Sequence, residues 1–143
     1  MQTVPRVGTA IAPRAWDTHG DVATFRLPGG LNLRESGELV LESIERAVAE
    51  RQPSLLIDVR AYDGPSPDAQ ARINSWRAPA SAAEGRVKAA MLLQERHIDP
   101  ERFGVVAAGN FGMEANVFTD ERSALRWLRE VAGTKAPMIA RSP

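Results

Sequence analysis

The run SLLIDV at residues 54–59 restricts the fold of this chain more than any other stretch. It is continuously apolar from Leu55 to Ile57, so a strand formed here would carry apolar side chains on both of its faces. Strands of this kind lie at the centre of sheets whose faces are covered by helices. The run therefore predicts an α/β fold with this strand buried inside the sheet.

Short strands alternate with helical patterns along the rest of the chain. In NVFTDERSALRWLREVAG, residues 116–133, a short apolar run precedes a helix with one apolar stripe, and Gly133 suits the position just after that helix. The predicted order is hairpin, helix, strand, helix, strand, helix, strand, helix. The predicted strands are a hairpin at residues 15–27 with its turn at 17–21, then 54–59, 86–93 and 115–118, and the predicted helices are 36–51, 66–76, 99 to Gly109 or Gly112, and Thr119 to Gly133.

Polar side chains indicate where the predicted helices begin. The hydroxyl groups of Ser36, Ser66 and Thr119 are expected to accept hydrogen bonds from the free backbone N–H groups of the first helical turn. The segment at residues 78–85 has mostly small side chains and is expected to be irregular.

Length and composition exclude several classes of protein. A chain of 143 residues predicts one domain, here residues 14–133, with a flexible leader at 1–13 and a flexible tail at 134–143. The 18 basic and 18 acidic side chains balance, which does not favour a nucleic acid partner. Cysteine is absent, so disulfides and cysteine nucleophiles are excluded. No secretory signal and no membrane-spanning run is found, so a cytoplasmic protein is expected.

Several short sequence words occur together in a family-like order. They are LLIDVR at 55–60 with DG at 63–64, RVKAAM at 86–91, RF at 102–103, and VFTD at 117–120 followed by ALRWL at 124–128. With the order of elements, they resemble the STAS superfamily, specifically its SpoIIAA-like branch, over roughly residues 14–130. The resemblance implies an α/β fold with a mixed sheet whose helices pack mainly on one face. It also implies a non-enzymatic regulatory module that acts by protein contact and needs no cofactor.

The resemblance directs attention to the segment after the central strand. Anti-sigma-factor antagonists of this superfamily are switched there by phosphorylation of a serine within an Asp-Ser-Ser-Gly word. This chain has GPSPD at residues 64–68 instead, so Ser66 is either a modified switch residue or only a helix cap. The predicted partner is an unidentified protein or a second copy of the chain. The candidate contact residues are Tyr62, Asp63, Ser66, Asp68 and Trp76.

Asp58, Asp63 and Asp68 recur every five residues around the same loop. Carboxylates at the end of a strand can bind Mg²⁺, but each of these also suits a turn or a helix cap, and no glycine-rich phosphate loop accompanies them. No metal site and no catalytic residue is therefore predicted. His19 and His97 are both expected on the surface.

The alternative function is the binding of a small apolar ligand or lipid. The SpoIIAA-like branch resembles lipid-carrying CRAL-TRIO domains in fold, which implies an apolar pocket between the sheet and the helices. Phe103, Phe111 and Trp127 are the candidate lining residues, although large aromatic side chains also serve as ordinary core residues.

Overall fold

The structure is a computed structural model that describes residues 15–130. The predicted leader, the predicted tail, and residues 14 and 131–133 of the predicted domain lie outside the described residues. The strands are β1 (Trp16–His19), β2 (Val22–Arg26), β3 (Ser54–Asp58), β4 (Lys88–Leu92) and β5 (Ala115–Phe118). The helices are α1 (Leu33–Ala49), α2 (Ala69–Asn74), α3 (Arg77–Ala83), α4 (Phe103–Asn110) and α5 (Glu121–Leu128), with a 3₁₀ turn at Glu95–His97.

The five described strands form one mixed sheet in the order β1-β2-β3-β4-β5. β1 pairs antiparallel with β2, and each later pair is parallel. Connections between parallel strands are right-handed in nearly all proteins. Since each strand from β2 to β5 is added on the same side of the previous one, the connecting helices fall on one face of the sheet. The predicted mixed sheet with helices mainly on one face is confirmed.

The alternation of side chains along β3 divides the core between the two faces of the sheet. Leu55 and Ile57 belong to the larger cluster, which includes Ile44 of α1. Leu56 points to the other face and packs in a smaller cluster with Leu128 of α5. All three β3 side chains are fully buried, as the two-faced apolar run predicted.

Helix α1 begins earlier than predicted, because its cap is Asn32, four residues before the predicted cap Ser36. Asn32 Oδ1 accepts a hydrogen bond from the Glu35 backbone N–H at 2.7 Å, and Glu35 Oε1 accepts one from the Asn32 N–H at 3.0 Å. This reciprocal capping box satisfies two backbone donors at once, which a lone serine cap does not. Ser36 lies in the first turn and donates its hydroxyl to the Asn32 carbonyl.

The predicted caps of two other helices are also wrong. Asp68 caps α2 and Asp120 caps α5, and each carboxylate accepts a hydrogen bond from the backbone N–H three residues later. In both cases the aspartate lies after the predicted residue, Ser66 or Thr119, and its charge favours the positive end of the helix.

Two helix boundaries differ for local reasons. Residues 77–83 form α3 instead of an irregular segment, because Pro79 falls in the first turn, where it is tolerated, and alanines follow it. Helix α4 begins at Phe103 instead of residue 99, because Arg102 has a left-handed backbone with φ of 57°. Asp99 holds this bend by accepting hydrogen bonds from two backbone N–H groups, those of Glu101 and Phe103.

No helix in residues 15–130 is both long and apolar enough to cross a bilayer.

Candidate functional site at the carboxyl edge of the sheet

The carboxyl ends of β2 to β5 meet at one edge of the sheet, where α/β folds usually place their binding sites. Asp58 lies there, at the end of β3. Its carboxylate accepts a hydrogen bond from Arg26 at 3.0 Å and two from the Arg60 guanidinium, at 2.8 and 2.9 Å. Burial opposes ionisation of Asp58, but the hydrogen bonds from Arg60 and the charges of Arg60 and Arg26 lower its pKa overall. Asp58 therefore ties β2, β3 and the following loop together as an ionised group.

The loop between β3 and α2, residues 59–68, is held by Tyr62. The Tyr62 ring is buried beneath the loop, and its hydroxyl donates a hydrogen bond to the Pro65 carbonyl at 2.7 Å. A Cβ at Gly64 would lie 2.6 Å from the Tyr62 hydroxyl oxygen, so a larger residue would push the ring away. The loop thus has one compact conformation set by its own side chains.

The connection between β4 and α4 holds the same loop from the other side. Gln94 Nε2 donates hydrogen bonds to the backbone carbonyls of Arg60 and Tyr62, at 2.8 and 3.0 Å. Arg96 donates to the Asp63 carbonyl at 3.1 Å. These bonds satisfy backbone groups that would otherwise depend on water, and they keep the exposed side of the loop in a defined position.

Ser66 and His97 form the central pair of the site. The Ser66 hydroxyl lies 2.5 Å from His97 Nδ1, and the His97 ring lies 5.3 Å from the Tyr62 ring. Ser66 is exposed, whereas His97 is only 4% exposed, which corrects its predicted surface position. Burial lowers the pKa of His97, and the positive charges of Arg96 and Arg72 lower it further. The Tyr62 backbone raises this pKa, but the overall change is a decrease. His97 is therefore the neutral imidazole near pH 7.

The second ring nitrogen of His97 faces the interior. Nε2 is buried and forms no hydrogen bond of acceptable geometry within residues 15–130. Unpaired buried polar atoms are rare in folded proteins and often mark a functional position. The sequence carries no local signal for this pair, because Ser66 and His97 are separated by 31 positions along the chain.

The remaining contact candidates divide by exposure. Asp63 and Asp68 are exposed like Ser66, but Tyr62 and Trp76 are only 5% and 8% exposed. Buried side chains of this kind shape a surface without presenting themselves to a partner. Within residues 15–130, no three His, Asp or Glu side chains are placed to hold a metal ion together.

The structure does not bring together the three aromatic residues of the predicted apolar pocket. Phe103 is 38% exposed at the start of α4. Phe111 packs against the larger core cluster, with the Arg77 guanidinium 4.8 Å from its ring centre. Trp127 belongs to the opposite face of the sheet, where it packs against Phe118 and lies beneath the Lys88 ammonium. The sheet separates Trp127 from the other two.

A cavity of about 210 Å³ lies instead between the carboxyl edge of the sheet and the helices above it. Helices α1, α2 and α4 and the ends of β4 and β5 contribute to its walls, and we call it the carboxyl-edge cavity. Two of the predicted contact residues, Tyr62 and Trp76, line it together with His97. Its main apolar lining residues are Val40, Tyr62, Trp76, Met91, Val105 and Val117.

We expect the His97 pKa to lie below 6.5 in the folded protein, because burial disfavours the charged ring. The unfolded chain then binds a proton that the folded chain does not, so the free energy of unfolding should fall as the pH drops below about 6.5. NMR titration of the His97 Hε1 resonance measures this pKa. In an Arg96→Gln control the pKa should rise, and a titration midpoint at or above 6.5 in the unmodified protein would contradict the expectation.

No family model matches the sequence, and no curated protein shows significant sequence similarity to it. Among solved structures, the crystal structure of an anti-sigma factor antagonist from Mycobacterium paratuberculosis is similar, with a TM-score of 0.52. The match covers 84% of this chain and 99% of that chain at 16% sequence identity. At this identity the likeness concerns the fold alone. The chain therefore shares the α/β fold of this solved structure, which is the SpoIIAA-like fold that the resemblance implied.

Proposed function

We propose that this chain is a non-enzymatic, cytoplasmic regulatory module that binds another protein through the β3–α2 loop and the start of α2. The observation that carries the proposal is the environment of Ser66. Ser66 is exposed, it does not cap α2, and its hydroxyl is held by the buried His97. Because Asp68 caps α2, the helix does not require the Ser66 hydroxyl. The exposed Ser66 side chain is therefore available to contact a partner.

The geometry of the loop supports this use. Asp63, Ser66, Asp68 and Gln70 all present exposed side chains, while Tyr62, Gln94 and Arg96 hold the backbone beneath them. A surface held in its bound shape loses less conformational entropy on association than a flexible loop. Because folds of this type are typically regulatory and not catalytic, a protein partner fits the site better than a substrate.

The proposed partner is a protein of the anti-sigma-factor kind. The similar solved structure is described as an antagonist of such a factor. Its fold alone does not carry that role to this chain, so the role is part of the proposal. A second copy of the chain remains the other predicted partner, and the mass of the complex distinguishes the two.

A negative charge at Ser66 should weaken the complex. In a Ser66→Glu variant, a carboxylate replaces the hydroxyl beside His97 and adds charge at the centre of the contact surface. We expect partner affinity to fall at least about tenfold, the loss that one disrupted charged or polar contact causes in a buried interface. Affinity purification of the partner, followed by native mass spectrometry, measures the complex.

The matched control is Ser81→Glu, which makes the same change at an exposed serine on α3, away from the loop. It should retain the complex. A protein that binds the unmodified chain, Ser66→Glu and Ser81→Glu equally well would place the contact surface elsewhere. A complex with the mass of two copies of the chain would show that the chain associates with itself, and would contradict the anti-sigma partner.

A further inference from the structure

The carboxyl-edge cavity has the features of a small-molecule site. Its walls are mostly apolar, and it lies at the sheet edge where ligands bind in α/β folds. Its volume of about 210 Å³ is below the roughly 300–1,000 Å³ of pockets for drug-sized ligands. A single aromatic ring or short acyl chain fits these dimensions, whereas a two-chain lipid does not.

Helix α2 covers the cavity without contributing a buried residue to the core. None of its residues is fully buried, yet Ala71 and Arg72 line the cavity. The apolar contact that normally fixes a helix is therefore small for α2. A ligand beneath α2 would supply additional contact and stabilise the helix.

One buried polar atom at this cavity, His97 Nε2, has no hydrogen-bond partner among residues 15–130. The Trp76 indole N–H lines the cavity and forms no hydrogen bond with a described residue. His97 also lines the cavity, and its Nδ1 lies against the Ser66 hydroxyl. In the neutral ring with Nδ1 accepting from Ser66, Nε2 carries the proton, so Nε2 and the Trp76 indole nitrogen are both donors. A ligand with an acceptor oxygen would satisfy them.

The charged groups that line the cavity favour an anionic acceptor over a neutral one. Arg72 and Arg102 are cationic, and Asp99 is the one anion among the lining residues of this cavity. The Asp99 carboxylate already accepts hydrogen bonds from the Glu101 and Phe103 backbone N–H groups, which lower its pKa. The lining therefore has a net positive charge that a carboxylate would balance.

We propose that the carboxyl-edge cavity binds a small monocarboxylic acid, with its ring or short chain against Val40, Met91 and Val117 and its carboxylate towards Trp76, His97 and the arginines. The ligand rigidifies α2, which adjoins the β3–α2 loop. The proposal does not depend on the protein partner, since the cavity, its donors and its charge belong to this chain alone.

Isothermal titration calorimetry with 3-phenylpropanoate tests the ligand class. We expect the acid to bind the unmodified protein and the neutral 3-phenylpropan-1-ol to bind at least about tenfold more weakly, because only the acid forms charge-assisted hydrogen bonds. Equal affinity for the two compounds, or no binding of the acid at millimolar concentration, would overturn the proposal. No protein partner takes part in this titration, so its failure is distinct from failure of the proposed function.

Two variants place the binding in the cavity. Ala71→Leu fills space beneath α2 and should abolish binding of the acid, whereas Ala69→Leu, the same change at an exposed position of the same helix, should not.

Arg102→Gln should weaken binding of the acid about tenfold or more and leave the alcohol unaffected, whereas Arg122→Gln on α5 should change neither. If circular dichroism shows that Ala71→Leu does not fold, the comparison of Arg102→Gln with Arg122→Gln tests the proposal. Unchanged binding of the acid in Arg102→Gln would overturn the proposal.

Discussion

A Trp76→Ala variant is expected to lose about 3–5 kcal/mol of the free energy of unfolding, the cost of removing a large aromatic side chain from a core. Trp76 is 8% exposed and belongs to the larger core cluster. It lies at the junction of α2 and α3, and its indole packs so closely on α4 that a Cβ at Gly104 would be 2.9 Å from Nε1. One side chain thus joins three helices above the sheet, and its removal should loosen all three.

Chemical denaturation followed by circular dichroism measures this loss. Trp127→Ala is the matched control, because Trp127 is only partly buried and packs against the smaller cluster on the other face. Its cost should be smaller, within the roughly 0.5–3 kcal/mol range of most single substitutions. A Trp127→Ala protein as unstable as Trp76→Ala would show that Trp76 does not hold the helical layer as described.

The burial of Trp76 also affects how partner binding is interpreted. Loss of a complex in Trp76→Ala or Tyr62→Ala would follow from a disturbed helical layer as readily as from a lost contact. Because Ser66 is exposed, Ser66→Glu changes the contact surface while the core beneath it is retained. The exposed serine is therefore the better test of the proposed function.

An Asp58→Asn variant is expected to lose about 1–3 kcal/mol of the free energy of unfolding at neutral pH, as hydrogen bonds to a charged group are weakened. The Asp58 side chain is 12% exposed, and its partners Arg26 and Arg60 are 52% and 41% exposed. Since water can reach both arginines, the loss should stay below that of a fully buried ion pair. Asp63→Asn, at an exposed position in the following loop, should cost less than about 0.5 kcal/mol.

The effect of Asp58→Asn should depend on pH in a defined direction. The pKa of Asp58 is lower in the folded protein than its ordinary value of 3.8, so the ionised carboxylate stabilises the fold above about pH 4. That contribution disappears as the pH falls further, through the folded pKa, and the carboxylate becomes protonated. Denaturation curves at pH 7, 5 and 3 should show a constant difference between the two proteins at the first two values and a smaller one at pH 3. A difference that grows at pH 3 would contradict the assigned role of Asp58.

Much of the fold could be predicted from sequence because its signals are local. The apolar run at Leu55–Ile57 requires cover on both faces of a central strand, and the structure provides it with α1 on one side and α5 on the other. The errors in helix starts are also local. At α1, α2 and α5 two polar residues compete for the cap, and the choice falls on Asn32, Asp68 and Asp120, whose side chains reach the backbone three positions later.

The candidate site could be predicted only in part. The choice of the β3–α2 loop rests on the resemblance to the SpoIIAA-like branch and on the helix entrance that follows the central strand, and Tyr62 and Ser66 lie in that loop. Hydrophobic periodicity could not show whether Phe103, Phe111 and Trp127 lie around one pocket. The face of the sheet on which Trp127 lies depends on where α5 crosses the sheet. The structure places Trp127 across the sheet from Phe103 and Phe111.

The sequence by itself determined that this chain forms an α/β fold around β3, because hydrophobic periodicity acts between neighbours along the chain. Only the tertiary structure decided that His97 is buried against Ser66, and that α1, α2 and α4 enclose a cavity at the sheet edge. The residues concerned are tens of positions apart in the sequence. Their meeting depends on how each right-handed connection returns to the sheet, a property of the packed layers that no local pattern encodes.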